Sequence, residues 1–211
     1  ALEALEESPW AGQIGWTVLI TPDEETGSSG SKHLYEEAAK IHHAGLIFEP
    51  SYPDGVIVSS RKGSLNLTAI CKGSAAHAGR NFYDGRNALT ALAEWLLNVE
   101  RLGDRSKGIT VNIGHIQGGG AFNIVPDFAS AKVNIRTETP EDALLIEECL
   151  QLLVDEEITQ KEVSLTIHKQ AARPPKSINR ETELLFSLYR ECAKDLDKHL
   201  EWRPSGGLCD G

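Results

Sequence analysis

The sequence contains no methionine, and aromatic residues make up only 6% of its 211 positions. It has no Cys-x-x-Cys pair, so neither a zinc ribbon nor a disulfide framework is expected from its 4 cysteines. These lie far apart, at Cys71, Cys149, Cys192 and Cys209. The longest apolar runs are far shorter than the roughly 20 residues that cross a bilayer. We therefore predict a soluble, cytoplasmic protein with reduced thiols, and the missing methionine favours an internal segment of a longer chain.

Positive charge is also scarce. Lys plus Arg number 21 against 31 Asp plus Glu, which gives a formal net charge of −10. Such a surface repels phosphate backbones, so we expect no nucleic-acid partner. The charged fraction of 25% and the hydrophobic fraction of 40% are typical of a folded globular chain, with room for one large domain or two small ones.

The first part of the chain has the pattern of an α/β domain. Residues 16–21 form an apolar, β-branched run that ends at Pro22, and residues 46–48 form a second such run. Between them a helix is expected over residues 33–43. Strand, helix and strand in this order predict a parallel βαβ unit, which binds ligands beyond the carboxyl ends of its strands. Acidic residues follow both predicted strands.

The middle of the chain predicts a second domain with a different pattern. Apolar residues alternate over 64–70, as in a half-buried antiparallel strand. The further elements expected are a helix at 87–102, strands at 109–116 and 129–136, a helix at 140–157 and a strand at 163–168. This β-α-β-β-α-β order is that of a ferredoxin-like α+β domain. We predict that residues 61–173 form this domain, inserted between two parts of the α/β domain, residues 1–60 and 174–211.

Three acidic residues could carry metal-dependent chemistry. Glu24 and Glu25 are adjacent after the first predicted strand, so one could bind a cation while the other faces the water that it activates. Glu49, after the second strand, could add a ligand oxygen. The alternative is that the acids at 23–25 are solvated residues in the first turn of a helix.

Three further candidates lie in the inserted domain and can donate hydrogen bonds. His77 stands among small residues and could polarise a carbonyl oxygen, and Asn123 could complete an oxyanion hole. Arg136 offers a planar fork for a carboxylate. The alternatives are a structural histidine and a turn asparagine in a glycine hairpin. The Ser/Gly loop at 27–32 does not match a phosphate-binding P-loop.

Several short motifs together resemble a known family. They are Thr-Pro-Asp-Glu-Glu-Thr-Gly-Ser at 21–28, Phe-Glu-Pro at 48–50, Ala-His-Ala-Gly at 76–79, Gly-Arg-Asn-Ala at 85–88 and Asn-Ile-Val-Pro at 123–126. The set is similar to the dinuclear zinc hydrolases that include carboxypeptidase G, acetylornithine deacetylase, succinyl-diaminopimelate desuccinylase and aminoacylase-1. The resemblance covers nearly the whole chain in the family's order.

This resemblance implies roles for particular residues. Glu24 would be the general base, Glu25 a ligand to one zinc and Glu49 a ligand to the second. His77 and Asn123 would stabilise the tetrahedral oxyanion. The inserted domain would act as a lid that also forms a homodimer, with its histidine reaching the partner's active site. Two further residue groups would bind substrate: Arg136 at the free carboxylate, and the Gly-rich loop containing Gly206, Gly207 and Cys209.

The resemblance also implies what lies outside these 211 residues. The family's two His ligands and its bridging Asp are not in the sequence, so the segment alone is expected to be inactive. In the parent protein, two zinc ions, or cobalt or manganese, would support hydrolysis of an N-acyl amino acid or small peptide with a free carboxylate. Glu49 favours a deacylase over a strict peptidase. The alternative is a non-catalytic dimerisation or interaction module. Cys209 as a nucleophile is disfavoured because it lacks the surrounding signatures of cysteine hydrolases.

Overall fold

The computed structural model describes residues 2–49 and 52–207. These fall into two compact units: the residues up to 49 pack together, and so do residues 52–207. The predicted limits of the inserted domain, 61 and 173, stay a prediction. Within the described ranges, no helix is both long and apolar enough to cross a membrane.

Among its described residues, 2–49, the first unit contains two α-helices and one short 3₁₀ turn. Helix α1 covers Leu2–Glu6, the 3₁₀ turn covers Glu24–Thr26, and helix α2 covers Lys32–Ile41. Helix α2 confirms the helix expected at 33–43. Helix α2 and the residue that follows it contact the preceding segment. The hydroxyls of Thr21 and Tyr35 are hydrogen-bonded at 2.5 Å, and Nε2 of His42, just after the helix, lies 2.9 Å from Thr17 Oγ1.

The prediction of two parallel strands in this unit is wrong for the described residues. Residues 16–21 and 46–48 run as irregular backbone with no strand pairing among residues 2–49. Their apolar side chains are open to solvent, with Ile20 90% and Phe48 83% exposed. Apolar β-branched runs form buried strands only where a neighbouring strand takes their backbone hydrogen bonds and a second layer covers them. Neither is supplied within this unit.

The second unit has six strands and three α-helices among its described residues. The strands are β1 (Ile57–Arg61), β2 (Gly63–Lys72), β3 (Thr110–Gly118), β4 (Phe128–Thr137), β5 (Ser164–Arg173) and β6 (Trp202–Ser205). The helices are α3 (Ala88–Glu100), α4 (Pro140–Lys161) and α5 (Arg180–Asp195). The β-α-β-β-α-β order predicted for the middle of the chain is confirmed by β2, α3, β3, β4, α4 and β5.

Four of these strands form one antiparallel sheet in the order β3-β4-β2-β5. Its first and last strands in the chain are neighbours, and Ser64 at the start of β2 pairs with Arg173 at the end of β5. Helices α3 and α4 begin at defined caps. The Asn87 side chain accepts from the backbone N–H groups of Leu89 and Thr90, and Thr139 caps α4 just before Pro140.

The core lies between this sheet and helices α3 and α4. Alternate residues of β2 and β4, such as Leu67 and Val133, are buried and pair with each other across the strands. They pack with Trp95 of α3 and Leu150 of α4 in one apolar cluster. Because side chains alternate between the faces of a strand, the intervening residues point to the other, open face of the sheet.

A small parallel pair of strands, β1 and β6, completes the second unit. Ile57 pairs with Trp202, whose ring stacks on Phe186 of α5 with the centroids 4.0 Å apart. Arg203 forms an ion pair with Asp54 and lies over the ring of Tyr52. The sequence did not predict these two short strands. Its amphipathic pattern over residues 181–196 does predict a helix there, and α5 confirms it.

Candidate functional site

The acidic turn is organised by Asp23, a residue to which the sequence assigned no specific contacts. Its carboxylate accepts hydrogen bonds from the backbone N–H groups of Gly30 (2.8 Å) and Ser31 (3.2 Å) and from the Ser31 hydroxyl (2.5 Å). The Ser31 hydroxyl bond is the main cause that lowers the pKa of Asp23 from its usual value. Asp23 therefore closes the loop that leads into helix α2.

Glu24 and Glu25 stand on this closed loop. Together with Thr26 they form the 3₁₀ turn. It ends at Gly27, whose backbone is in the left-handed region (φ 99°) and whose N–H donates to the Glu24 carbonyl. Glu24 is half-buried and Glu25 is exposed. The loop geometry thus gives the two adjacent carboxylates a defined backbone, as a site with divided roles requires.

The described residues do not form a metal site by themselves. Glu49 lies half-buried at the end of the first unit. Across residues 2–49 and 52–207, no group of three or more His, Cys, Asp or Glu side chains is arranged to hold a metal ion. Two carboxylates such as Glu25 and Glu49 are too few for a zinc site, which has at least three protein ligands. Their assignment as ligands stays a prediction.

His77 and Asn123 are brought together by backbone pairing in the second unit. His77 forms an isolated antiparallel bridge with Ile124, and the Ala78 N–H donates to the Asn123 carbonyl at 2.9 Å. Gly85 lies against this bridge. A Cβ on Gly85 would lie 2.9 Å from Val125 Cγ1, so the close approach requires glycine.

The ring of His77 is held in one orientation by its own loop. Its Nδ1 accepts the Gly79 backbone N–H at 3.1 Å, and its backbone N–H donates to Asn81 Oδ1 at 3.0 Å. In the neutral imidazole, an Nδ1 that accepts a hydrogen bond leaves the proton on Nε2. The half-buried His77 ring can therefore donate from Nε2, as an oxyanion-stabilising histidine must.

Arg136 lies at the opposite end of the sheet from His77. The His77 loop follows the end of β2, where Lys72 pairs with Phe128, whereas Arg136 pairs with Ser64 at the start of β2. The two ends are eight residue steps apart along β4, from Phe128 to Arg136, or about 26 Å at roughly 3.3 Å per residue. One chain therefore does not bring Arg136 next to His77 and Asn123.

The two glycines predicted to bind substrate follow strand β6. Both are exposed, and the Gly207 N–H donates to Ser205 Oγ at 3.2 Å. A Cβ on Gly207 would lie 3.2 Å from Arg61 Nη1, so this turn runs close to a guanidinium group. Cys209, predicted in the same loop, lies outside the described residues.

Known proteins are similar to this chain in sequence and in fold. Residues 59–162 match the family M20_dimer, described as a peptidase dimerisation domain. A probable carboxypeptidase of Aspergillus terreus is 36% identical over 161 residues, which cover 68% of this chain and 36% of that protein. The chain thus spans about a third of the length of the curated relatives that it matches.

Two solved structures show a similar fold over most of the chain. Aminopeptidase PepT from Bacillus cereus has a TM-score of 0.75 at 23% identity, with 90% of this chain and 50% of that chain covered. A tripeptidase from Staphylococcus aureus has a TM-score of 0.74 at 25% identity, with 91% and 50% covered.

Proposed function

Because this chain belongs to the M20 peptidase family, we propose that the whole protein hydrolyses an amide bond next to a free carboxylate, in an N-acyl amino acid or a small peptide. Relatives named as carboxypeptidases and tripeptidases support peptide or amide hydrolysis in general. The choice of an acyl amino acid over a peptide rests on Glu49 and is part of the proposal.

We further propose that residues 61–173 form a ferredoxin-like lid, inserted into a catalytic α/β domain to which residues 1–60 and 174–211 contribute. The strand order β3-β4-β2-β5 and the core shared by α3 and α4 support the lid. The exposure of Ile20 and Phe48 supports an incomplete catalytic sheet, since further strands and helices would cover them.

The observation that carries the proposal is the geometry of His77. Its Nδ1 is occupied by the Gly79 N–H, and the backbone pairing places Asn123 beside it. The Nε2–H of His77 and the amide of Asn123 would donate to the oxyanion of the tetrahedral intermediate. One such donor contributes about 2.7–4 kcal/mol in other hydrolases. In a homodimer formed through the lid, His77 would serve the partner's active site.

The remaining roles fall to the acidic turn and to the substrate-binding residues. Glu24 would take a proton from the attacking water and pass it to the leaving amine. Glu25 and Glu49 would be ligands in a metal site, proposed to hold two zinc ions or, in their place, cobalt or manganese. This site needs ligands beyond the described residues. Arg136, Gly206 and Gly207 would bind the substrate.

Mixed dimers of two inactive variants of the whole protein test this proposal. His77→Ala is expected to lower kcat about 10²–10³-fold against an N-acyl amino acid, whereas His168→Ala on strand β5 serves as the control and keeps it. If His77 acts in the partner's site, mixing His77→Ala with Glu24→Gln subunits restores about a quarter of wild-type turnover, because half of the dimers are mixed and have one intact site.

Other outcomes would contradict parts of the proposal. Mixed dimers without activity would show that His77 acts within its own subunit. Unchanged turnover in both single variants would overturn the mechanism. The metal content of each variant should equal that of the wild type, because neither residue is a proposed ligand.

The edge strand β3 favours a second candidate function, a non-catalytic dimerisation or interaction module. All of its residues are exposed or half-buried, and Ile116 is 50% exposed. An open edge can pair with a second copy of itself. A whole protein that forms dimers in sedimentation, binds no zinc and hydrolyses no amide would support this candidate instead.

A further inference from the structure

The open face of the four-stranded sheet carries an ordered set of polar side chains. Asn66 of β2 pairs with Asn134 of β4, which pairs with Asn112 of β3. We call these three residues the carboxamide row. In the next row towards the start of β2, Arg136 pairs with Ser64 on one side and with Thr110 on the other.

This face is cationic although the chain as a whole is acidic. Strands β2, β3, β4 and β5 contain no Asp or Glu, whereas α4 on the opposite side is rich in both. Lys132 and Arg136 are both on the open face of β4. An anion that approaches this face therefore meets positive charge without carboxylate repulsion.

Hydrogen bonds fix the orientation of the Asn134 side chain. Its Nδ2 donates to Ser64 Oγ at 3.0 Å and to Asn66 Oδ1 at 2.6 Å, which uses both amide protons. Its Oδ1 accepts from Arg136 Nε at 2.9 Å. A flipped amide would place a donor against the Arg136 donor, so the network allows one orientation. Ser64 is buried, which anchors one end of the network.

We propose that Asn134 is a positioning residue that aims the Arg136 guanidinium at the carboxylate of the substrate. This inference rests on the proposed role of Arg136 in substrate binding. With Nε occupied by Asn134, Arg136 presents the pair Nη1 and Nη2 as the end that can hold a carboxylate with two parallel hydrogen bonds. Holding the long side chain in this geometry beforehand reduces the entropy lost on binding.

A hollow on the open face provides room for the rest of the ligand, and its lining includes Asn134, the residue that accepts from Arg136 Nε. It has a volume of about 500 Å³ and opens on the sheet face. Its polar lining includes the carboxamide row, Thr68, Lys132 and Gln170. Side-chain amides and a lysine can hydrogen-bond the acyl or peptide carbonyl groups of a ligand whose carboxylate is held by Arg136.

The test is a nuclear magnetic resonance titration of this chain with N-acetyl-L-alanine, with the uncharged N-acetyl-L-alaninamide as the matched ligand. The Arg136 Nε–H signal reports the contact with Asn134 directly. We expect Asn134→Ala to weaken binding of the acid about tenfold and to speed the exchange of this Nε–H with water. Asn98→Ala removes a carboxamide from helix α3, on the opposite side of the sheet, where it bonds Arg101, and it should change affinity less than about twofold.

A double-mutant cycle separates positioning from a general structural role. In the Arg136→Lys background no Nε remains to be oriented, so Asn134→Ala should cause no further loss of affinity. An equal loss in both backgrounds would overturn the positioning role. If Arg136→Lys weakens binding and Asn134→Ala does not, the inference fails while the proposed role of Arg136 stands. If Arg136→Lys leaves the affinity for the acid unchanged, both fail.

Discussion

Replacing Glu157 with glutamine should stabilise the second unit, and the gain should grow with pH. Glu157 lies on the core side of α4 with only 4% of its surface exposed. Its Oε1 has no hydrogen-bond partner among the described residues. A buried acceptor without a partner costs about 1–3 kcal/mol, and the cost is higher when the group is charged.

The sign of the pH effect follows from the surroundings of Glu157. Burial raises its pKa above the ordinary 4.5, Glu94 and Glu156 raise it further, and Lys161 acts in the opposite direction. A carboxyl whose folded-state pKa is raised supports folding fully below the unfolded pKa, and this support is lost as the pH rises through the folded-state pKa. Each unit of difference corresponds to about 1.4 kcal/mol.

We therefore expect Glu157→Gln to match the wild type near pH 4 and to exceed it at pH 7 by about 1–3 kcal/mol. At roughly 2–4 °C per kcal/mol for a unit of this size, Tm should rise by about 2–12 °C. Thermal unfolding, followed by tryptophan fluorescence from pH 4 to 8, measures the difference. Glu148→Gln, at an exposed position of α4 that does not affect the pKa of Glu157, is the control. Parallel stability curves for Glu157→Gln and wild type would refute the reasoning.

Two further perturbations test the core and the acidic turn. Leu67→Ala removes a buried side chain from the centre of β2 and should lower the free energy of unfolding, measured in urea, by about 2–5 kcal/mol. Ile70→Ala, on the open face, should lower it clearly less. Equal losses would contradict the assignment of the two faces. Asp23→Ala should speed amide hydrogen exchange at Gly30 and Ser31. In the wild type, the Ser31 hydroxyl is the main cause that lowers the pKa of Asp23. The protection of the Gly30 and Ser31 amides against exchange should therefore persist above pH 3.8 and be lost as the pH falls through the folded-state pKa of Asp23. Unchanged exchange in the variant would exclude Asp23 as the residue that closes the loop.

The alternating pattern of the middle domain was sufficient to predict its strands because each strand has one buried face. Leu65, Leu67 and Ala69 recur at every second position, and all three are buried. A shift of one residue would expose the whole apolar set, so pattern and register determine each other. The predicted strand ends differ from the observed ones by up to five residues, as at Arg173.

The first unit shows where such patterns are insufficient. Residues 16–21 have the composition of a buried strand, yet Ile20 is almost fully exposed. An apolar composition indicates that a segment is suited to burial, but burial also requires another strand or helix that packs over it. Strand β6 was missed for the opposite reason. It is four residues long and contains Pro204, so its pairing with the distant β1 leaves no periodic signal.

Residue identities in the candidate site were easier to predict than their contacts. The sequence indicated His77, but the bond from Gly79 that leaves the proton on Nε2 depends on loop geometry. Asp23 was grouped with its acidic neighbours. The signal that could have distinguished Asp23 from Glu24 and Glu25 is the Gly-Ser pair at 30–31, directly before α2. The backbone N–H groups at the start of a helix have no partner within the helix, so a carboxylate can accept from them.

The pairing of Ser64 with Arg173 has a consequence for how the four-stranded domain is attached. The points where the chain enters and leaves this domain are separated by a single inter-strand spacing, about 4.8 Å. A tight turn could bridge that gap. A segment whose two ends lie this close can be inserted into a host fold at a single position, so that the host backbone continues past it with little displacement.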